Sequence, residues 1–205
     1  MRKTRKPTDK DGSEAPPAER ALRADARRNR ARILAAAEQV FDAGGTAAST
    51  DDVARQAGVG IGTVFRHFPT KDALLQALAL GRLQRLRDEA LSLLADGDPA
   101  TAFESFFLMV VREARAKRVY GDALADADAA MRSESAEMRA ELRKAIGGLL
   151  ERAQQAGAVR RDVGLTDVMA LLAGVVHAGG IQPPHGVPSN KVTAVILDGL
   201  RPRRS

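Results

Sequence analysis

Apolar residues recur at helical spacing along most of the chain. Ile33, Leu34, Ala37, Val40 and Phe41 mark one helix face, closed by Gly44 and Gly45. Ser49 and Thr50 are candidate N-caps for a second helix, with Asp51 and Asp52 in its first turn, where the helix dipole favours negative charge. Gly58 stands where a C′ glycine belongs, and a short segment over 61–67 follows. Pro69 breaks the chain, and Thr70 caps a long helix starting near Lys71. That helix carries Leu74, Leu75, Leu78, Leu83 and Leu86 and stops at Asp96-Gly97-Asp98-Pro99. Four more apolar faces follow, opening at Phe103, Met138, Leu165 and Val192. Breaks fall at Gly121, near Gly157 and from Gly179 to Pro188. No segment alternates as a half-buried strand does, and no internal repeat is visible. The fold class is all-α.

Composition narrows the function. The chain has 205 residues, 44% hydrophobic and 28% charged, with six Phe, one Tyr and no Trp. Scarce aromatics argue against an all-β sandwich or barrel. The absence of Cys excludes disulfides, thiolate catalysis and thiolate zinc sites. Three His are too few for a His-rich metal site. No catalytic residue, metal ligand or cofactor is expected. No apolar run reaches membrane-spanning length, and the basic N-terminus lacks the apolar stretch of a secretory signal. A cytoplasmic protein that does not engage membranes is the expectation.

Charge is unevenly placed. The net charge is +6, and residues 1–71 hold 14 Lys/Arg against 9 Asp/Glu, or +5. A basic segment on an otherwise balanced chain suits a polyanion. Residues 1–20 are polar, carry Pro7, Pro16 and Pro17, and read as disordered. Three units are expected: a basic tail over 1–21, a DNA-binding unit over 22–71 and a helical unit over 72–205.

Residues 50–67 have helix-turn-helix form. Val53 and Ala54 face partner helices, Ala57 is small where two helices approach, and Gly58 tolerates the positive φ of the turn. Val59 plugs the turn and Val64 is the buried residue of the second helix. The run Gly58-Val59-Gly60-Ile61-Gly62 imitates a phosphate loop, but its third glycine comes one residue early and a helix precedes it. The string from Gly58 through His67-Phe68-Pro69-Thr70-Lys71 to Leu75 resembles the signature of the Tet repressor (TetR) family, and the likeness covers roughly residues 27–80.

The resemblance implies an N-terminal three-helix helix-turn-helix DNA-binding domain and a C-terminal helical ligand-binding and dimerisation domain. It implies contacts to double-stranded DNA from Arg28, Thr50, Ile61, Gly62, Thr63, Phe65, Arg66, His67 and Lys71. Thr50 and Thr63 would bond phosphate or a base edge; His67 and Lys71 would hold phosphate; Ile61 and Gly62 sit at the reading tip. Phe65 would pack on the sugar-phosphate backbone or a thymine methyl. Phe65 stands where the family commonly has Tyr, and Gly60 where a capping Ser is common; Arg66 takes up part of the contact work. Core roles are open for Phe68, Phe65 and His67, and capping alone for Thr50.

The same resemblance implies a homodimer built from helices near 165–178 and 189–200, and a small-molecule effector of unknown identity. Phe103, Phe106, Phe107, Met131, Met138 and Met169, with His177 as a polar anchor, suggest a soft apolar cavity, although such stripes also serve as plain core. The expected function is a repressor released from a near-palindromic operator by an apolar effector. The alternatives are an architectural DNA-binding protein without effector, and a small helical enzyme or carrier.

Overall fold

The computed structural model describes residues 16–114, 129–178 and 190–202. Eight α-helices run through them: α1 (Pro17–Gly44), α2 (Thr50–Ala57), α3 (Ile61–His67), α4 (Lys71–Asp96), α5 (Ala102–Ala114), α6 (Ala129–Gln155), α7 (Leu165–Ala178) and α8 (Asn190–Leu200), with a 3-10 turn at Gly45–Ala47. No strand occurs among the described residues. The expected breaks at Gly121 and from Gly179 to Pro188 lie outside them.

Helix α1 begins at Pro17, inside the stretch whose composition reads as disordered. Lack of anything to bury misled that reading. Pro suits the first helical position, Glu19 lies in the first turn, and Ala and Arg are strong helix formers.

Two hydrophobic cores are joined by α4. The head core takes Ile33, Ala37 and Phe41 from α1, Val53 from α2, Val64 from α3, Phe68, and Leu74 and Leu78 from α4. The body core takes Ala90 from α4, Phe103, Phe106 and Phe107 from α5, Ile146 and Leu149 from α6, Val168 and Leu172 from α7, and Leu200 from α8. Between them α4 carries charge. Arg85 reaches Glu38 of α1 at 2.7 Å, and Arg82 lies 3.3 Å from Glu113 of α5. Burial pulls the Arg82 guanidinium below its ordinary pKa, and the Glu113 charge opposes that pull.

Arginines from neighbouring helices close two helix ends. Arg32 of α1 donates to the Ala57 carbonyl at 2.7 Å, at the end of α2. Arg152 of α6 donates to the carbonyls of Leu94 and Gly97, the latter at 2.9 Å, at the end of α4. Both satisfy carbonyls that a helix end leaves without partners. Gly97 is required by space: a Cβ there would lie 2.4 Å from the Leu93 carbonyl oxygen and 2.9 Å from the Ala102 Cβ. Gly97→Ala is therefore expected to cost about 1–3 kcal/mol by overpacking. Thermal unfolding should move down by roughly 2–4 °C per kcal/mol in a chain of this size; an unchanged midpoint would show that the turn relaxes freely.

Candidate nucleic-acid interface

Ser49 caps α2. Its side chain accepts from the Asp52 N–H at 3.2 Å, and the Ser49 N–H donates to the Asp52 carboxylate at 3.2 Å, a reciprocal capping box. The Ser49 hydrogen bonds, with Arg55 adding to them, hold the Asp52 carboxyl below its ordinary pKa. Thr50 is therefore the first residue of the helix, half-exposed, with the capping done by its neighbour.

Gly58 turns the chain at φ 62°, ψ 40°, in the left-handed region. The C-terminal residue of α2, Ala57, is buried, as are Val53 and Ala54. Val59 packs against the head core, and Val64 is fully buried. These contacts fix the roll of α3. With Val64 inward, Gly62, Phe65 and Arg66 are exposed. Phe65 keeps 45% of its surface open, a large apolar ring presented to solvent. Ile61 and Thr63 are half-buried, and Ile61 packs partly against the head core, which leaves less of it for a base edge. Gly60 supplies no side-chain cap.

The chain leaves α3 through Phe68, which is 3% exposed and belongs to the core. Thr70 caps α4, its hydroxyl accepting from the Ala73 N–H at 3.0 Å. Lys71 opens α4 half-buried, with its ammonium 5.5 Å from the Phe41 ring centroid. His67 is half-buried beside Phe68, ring centroids 6.4 Å apart. Thus Gly62, Phe65 and Arg66 form an outward face, with Thr63, His67 and Lys71 half-exposed on the same short helix and at the junction after it. Arg28 is exposed on α1 and paired with Asp25. Arg30 stacks its guanidinium 5.2 Å from the Phe68 ring centroid.

The body places the expected ligand residues differently from one another. Phe103, Phe106 and Phe107 are 2% exposed or less, and Met138 is buried too. Met169 packs against the body core, whereas Met131 packs against the head core. The side chain of His177 lies outside the described residues. Phe103 borders a space of only about 20 Å³, room for a water molecule at most. A groove of about 670 Å³ opens elsewhere, between α4 and α6. Leu91, Leu94, Ala145, Gly147, Gly148 and Leu165 line it, with Glu141, Lys144 and Glu151 from α6. Sequence reasoning missed it. The available signal was Gly147-Gly148 in a helix interior, where glycine is costly unless something needs the room. A Cβ on Gly148 would meet Leu94 at 2.9 Å, and one on Gly147 would meet Leu165 at 3.3 Å.

Among the described residues no cluster of three or more His, Asp or Glu could hold a metal ion, and no helix is long and apolar enough to cross a membrane.

A left-handed glycine turn between two short helices, an outward second helix and a long helix leading to a separate helical body define a helix-turn-helix DNA-binding regulator. Residues 33–78 match the family model of bacterial regulatory proteins of the tetR family, and residues 98–202 match that of the SbtR-like transcriptional regulator C-terminal domain. The chain belongs to the TetR family of transcriptional regulators, which are not enzymes. It is similar to the crystal structure of a TetR transcription regulatory protein from Mycobacterium vanbaalenii, with 42% identity over 88% of this chain and 99% of that one and a TM-score of 0.69. A TetR transcriptional regulator from Streptomyces coelicolor is 34% identical over 85% of this chain and 99% of that one, with a TM-score of 0.65. A TetR family regulator from Thermus thermophilus, 21% identical over 82% of this chain and 95% of that one at a TM-score of 0.61, shares the fold.

Proposed function

We propose that the protein is a cytoplasmic homodimeric repressor that binds a near-palindromic operator and is released by a small, largely apolar effector. The observation that carries this reading is the role of α4. One helix opens at Lys71 beside the reading face and, in its last two turns, lines the groove with Leu91 and Leu94. An occupant wedged between α4 and α6 would displace α4, and with it the recognition helix. Release requires that the effector bind the displaced state more tightly than the DNA-bound state. The apolar walls fit an apolar body, and Glu141, Lys144 and Glu151 offer polar ends to it. The packed aromatic core around Phe106 leaves little room for a ligand of its own.

In this reading Thr50, Thr63, His67 and Lys71 position the protein on phosphates, while Ile61, Gly62, Phe65 and Arg66 meet base edges and thymine methyls. Selection of binding sites from random duplex DNA at two salt concentrations tests it. The expected result is a palindrome whose half-sites lie one helical turn or somewhat more apart. Binding without enrichment, lost on adding salt, would reduce the protein to a basic surface. Lys71→Ala should weaken binding to every sequence alike and lower the salt slope by about 1, whereas Gly62 or Arg66 substitutions should change the preferred sequence. Equal losses on all sequences from both kinds of change would refute this division of labour.

A further inference from the structure

We propose that α4 is hinged at Gly81, between the two cores, and that the Arg85–Glu38 ion pair is a latch that holds the hinge straight. The hinge is a property of the chain by itself; its use in regulation rests on the reading of α4 as the link between groove and head.

Helix α4 runs unbroken from Lys71 to Asp96, yet its two ends belong to different cores. Leu74, Leu75, Leu78 and Ala79 lie in the head core, Ala90 in the body core and Leu86 at its margin. The stretch from Leu80 to Arg85 belongs to neither. Gly81 sits in that stretch, half-buried. Glycine is the poorest helix former after proline, because it gives up the most backbone freedom. In a helix interior it needs a reason. Space supplies one at Gly148, where a Cβ would meet Leu94 at 2.9 Å. A positive φ supplies one at Gly58. Neither holds at Gly81. A Cβ there would meet the Arg85 guanidinium at 3.9 Å, an ordinary contact, and among the described residues nothing nearer. Its φ is not positive. What glycine gives this position is compliance, at the point of α4 that neither core supports.

Two ion pairs bracket the hinge, and they do different work. Arg82, the residue after Gly81, lies 3.3 Å from Glu113 of α5, with side chains 15% and 27% exposed. This pair fastens the body side of the hinge to the body, and burial protects it from screening. Arg85 stands one turn further on and reaches back across the hinge to Glu38 of α1 at 2.7 Å. Glu38 follows Ala37, a head-core residue. One partner is thus fixed on each side of Gly81, so a bend there must part them. The Arg85 and Glu38 side chains are 53% and 32% exposed, where an ion pair is weak and easily released. Met131 of α6 also touches the head core, but its unbranched side chain accommodates sliding.

The groove lies beyond the latch. Leu91 and Leu94 line it, and Arg152 holds the end of α4 at the Leu94 and Gly97 carbonyls. An occupant pressing on Leu91 moves the stretch between Arg82 and Gly97, which carries Arg85. Arg85 is drawn from Glu38, and the head is free to swing about Gly81. The occupant favours the unlatched state because only that state gives it room.

The chain has no cysteine, so Arg55→Cys on α2 and Arg161→Cys after α6, both exposed sites, accept a pair of spin labels without background. The labelled full chain is diluted into unlabelled protein, and the head-to-body distance distribution is read by pulsed electron spin resonance. Gly81→Ala should narrow the distribution and Glu38→Gln should broaden it. A second measurement uses the selected duplex with one base pair inserted between its half-sites, which forces the heads to a new angle. The penalty for the insertion should rise about fivefold in Gly81→Ala, the difference between glycine and alanine in a helix. It should fall about two- to fivefold in Glu38→Gln, the worth of an exposed ion pair. Half-site affinity should be unchanged in both. Equal distance distributions in the parent and the two variants would overturn the proposal and leave the repressor reading intact. Broadening by Glu38→Gln without narrowing by Gly81→Ala would overturn the hinge by placing the bend elsewhere. Failure of the parent to select any duplex would sink the repressor reading alone, because the label distances still decide the hinge.

Discussion

Replacing Val195 with aspartate should yield a monomer that binds a full operator on the order of 10²-fold more weakly than the parent, or worse, with half-site affinity unchanged. Helix α8 is two-sided. Thr193 and Leu200 are buried, Leu200 in the body core, while Val192 and Val195, one turn apart, are 46% and 69% exposed. A single exposed valine is ordinary on a protein surface. Here the pair adjoins Gly199 on α8, exposed as well, and α7 exposes Ala170, Ala173 and Gly174. Small residues beside an apolar ridge let a second backbone come close. A two-fold axis would set the same patch against itself, so one substitution enters the interface twice. Each aspartate would then lose water without gaining a partner. In the proposed dimer the affinity loss follows from geometry: two heads on one body make the second contact at high effective concentration, and a monomer forfeits it. Sedimentation velocity, with titrations of half-site and full-site duplex, reads both effects. A variant that remains dimeric would move the interface off α8.

The head was legible in the sequence because its signals are local. A left-handed glycine at 58, a buried Val64, the Pro69 break and the Thr70 cap each act within a few residues, and each stands where the sequence suggests. Ser49 and Thr50 are both good caps; the capping box with Asp52, three residues after Ser49, decides between them. The body was legible only as helices. Helical spacing marks Phe103, Phe106 and Phe107 as apolar, but whether such a stripe fills a core or lines a cavity depends on helices distant in sequence. The groove exists through Gly147 and Gly148 meeting Leu165 and Leu94, and no local pattern pairs those positions. The arginines carry the same lesson. Arg32 and Arg152 look like surface charge in the sequence, yet each bonds a carbonyl 25 or 58 residues away. Helix α1 is the reverse case, where local propensity prevailed although burial had nothing to offer.

Phe68→Ala should unfold the head and leave the body standing. Phe68 is 3% exposed, and its N–H donates to the Val64 carbonyl at 2.8 Å as α3 ends. Its ring belongs to the cluster of Ile33, Phe41, Val53, Val64 and Leu74 and carries Arg30 on its face. Truncating a buried Phe to Ala costs about 3–5 kcal/mol, a large share of the roughly 5–15 kcal/mol that holds a domain folded. The loss falls on one core of two. The body core draws on the later part of α4 and on α5, α6, α7 and α8, and none of its side chains belongs to the head cluster. The variant should keep most of its helical circular dichroism and its dimer mass, lose binding to every duplex, and expose the chain around α2 and α3 to protease. Phe65→Ala is the control, since the same ring three residues earlier is 45% exposed and outside both cores. It should leave the unfolding midpoint nearly unmoved and weaken DNA binding alone. If Phe68→Ala instead lowered one shared transition for head and body together, α4 would be coupling the two cores into a single cooperative unit. A shift in the head would then reach the groove, and one in the groove the head, with no separate hinge between them.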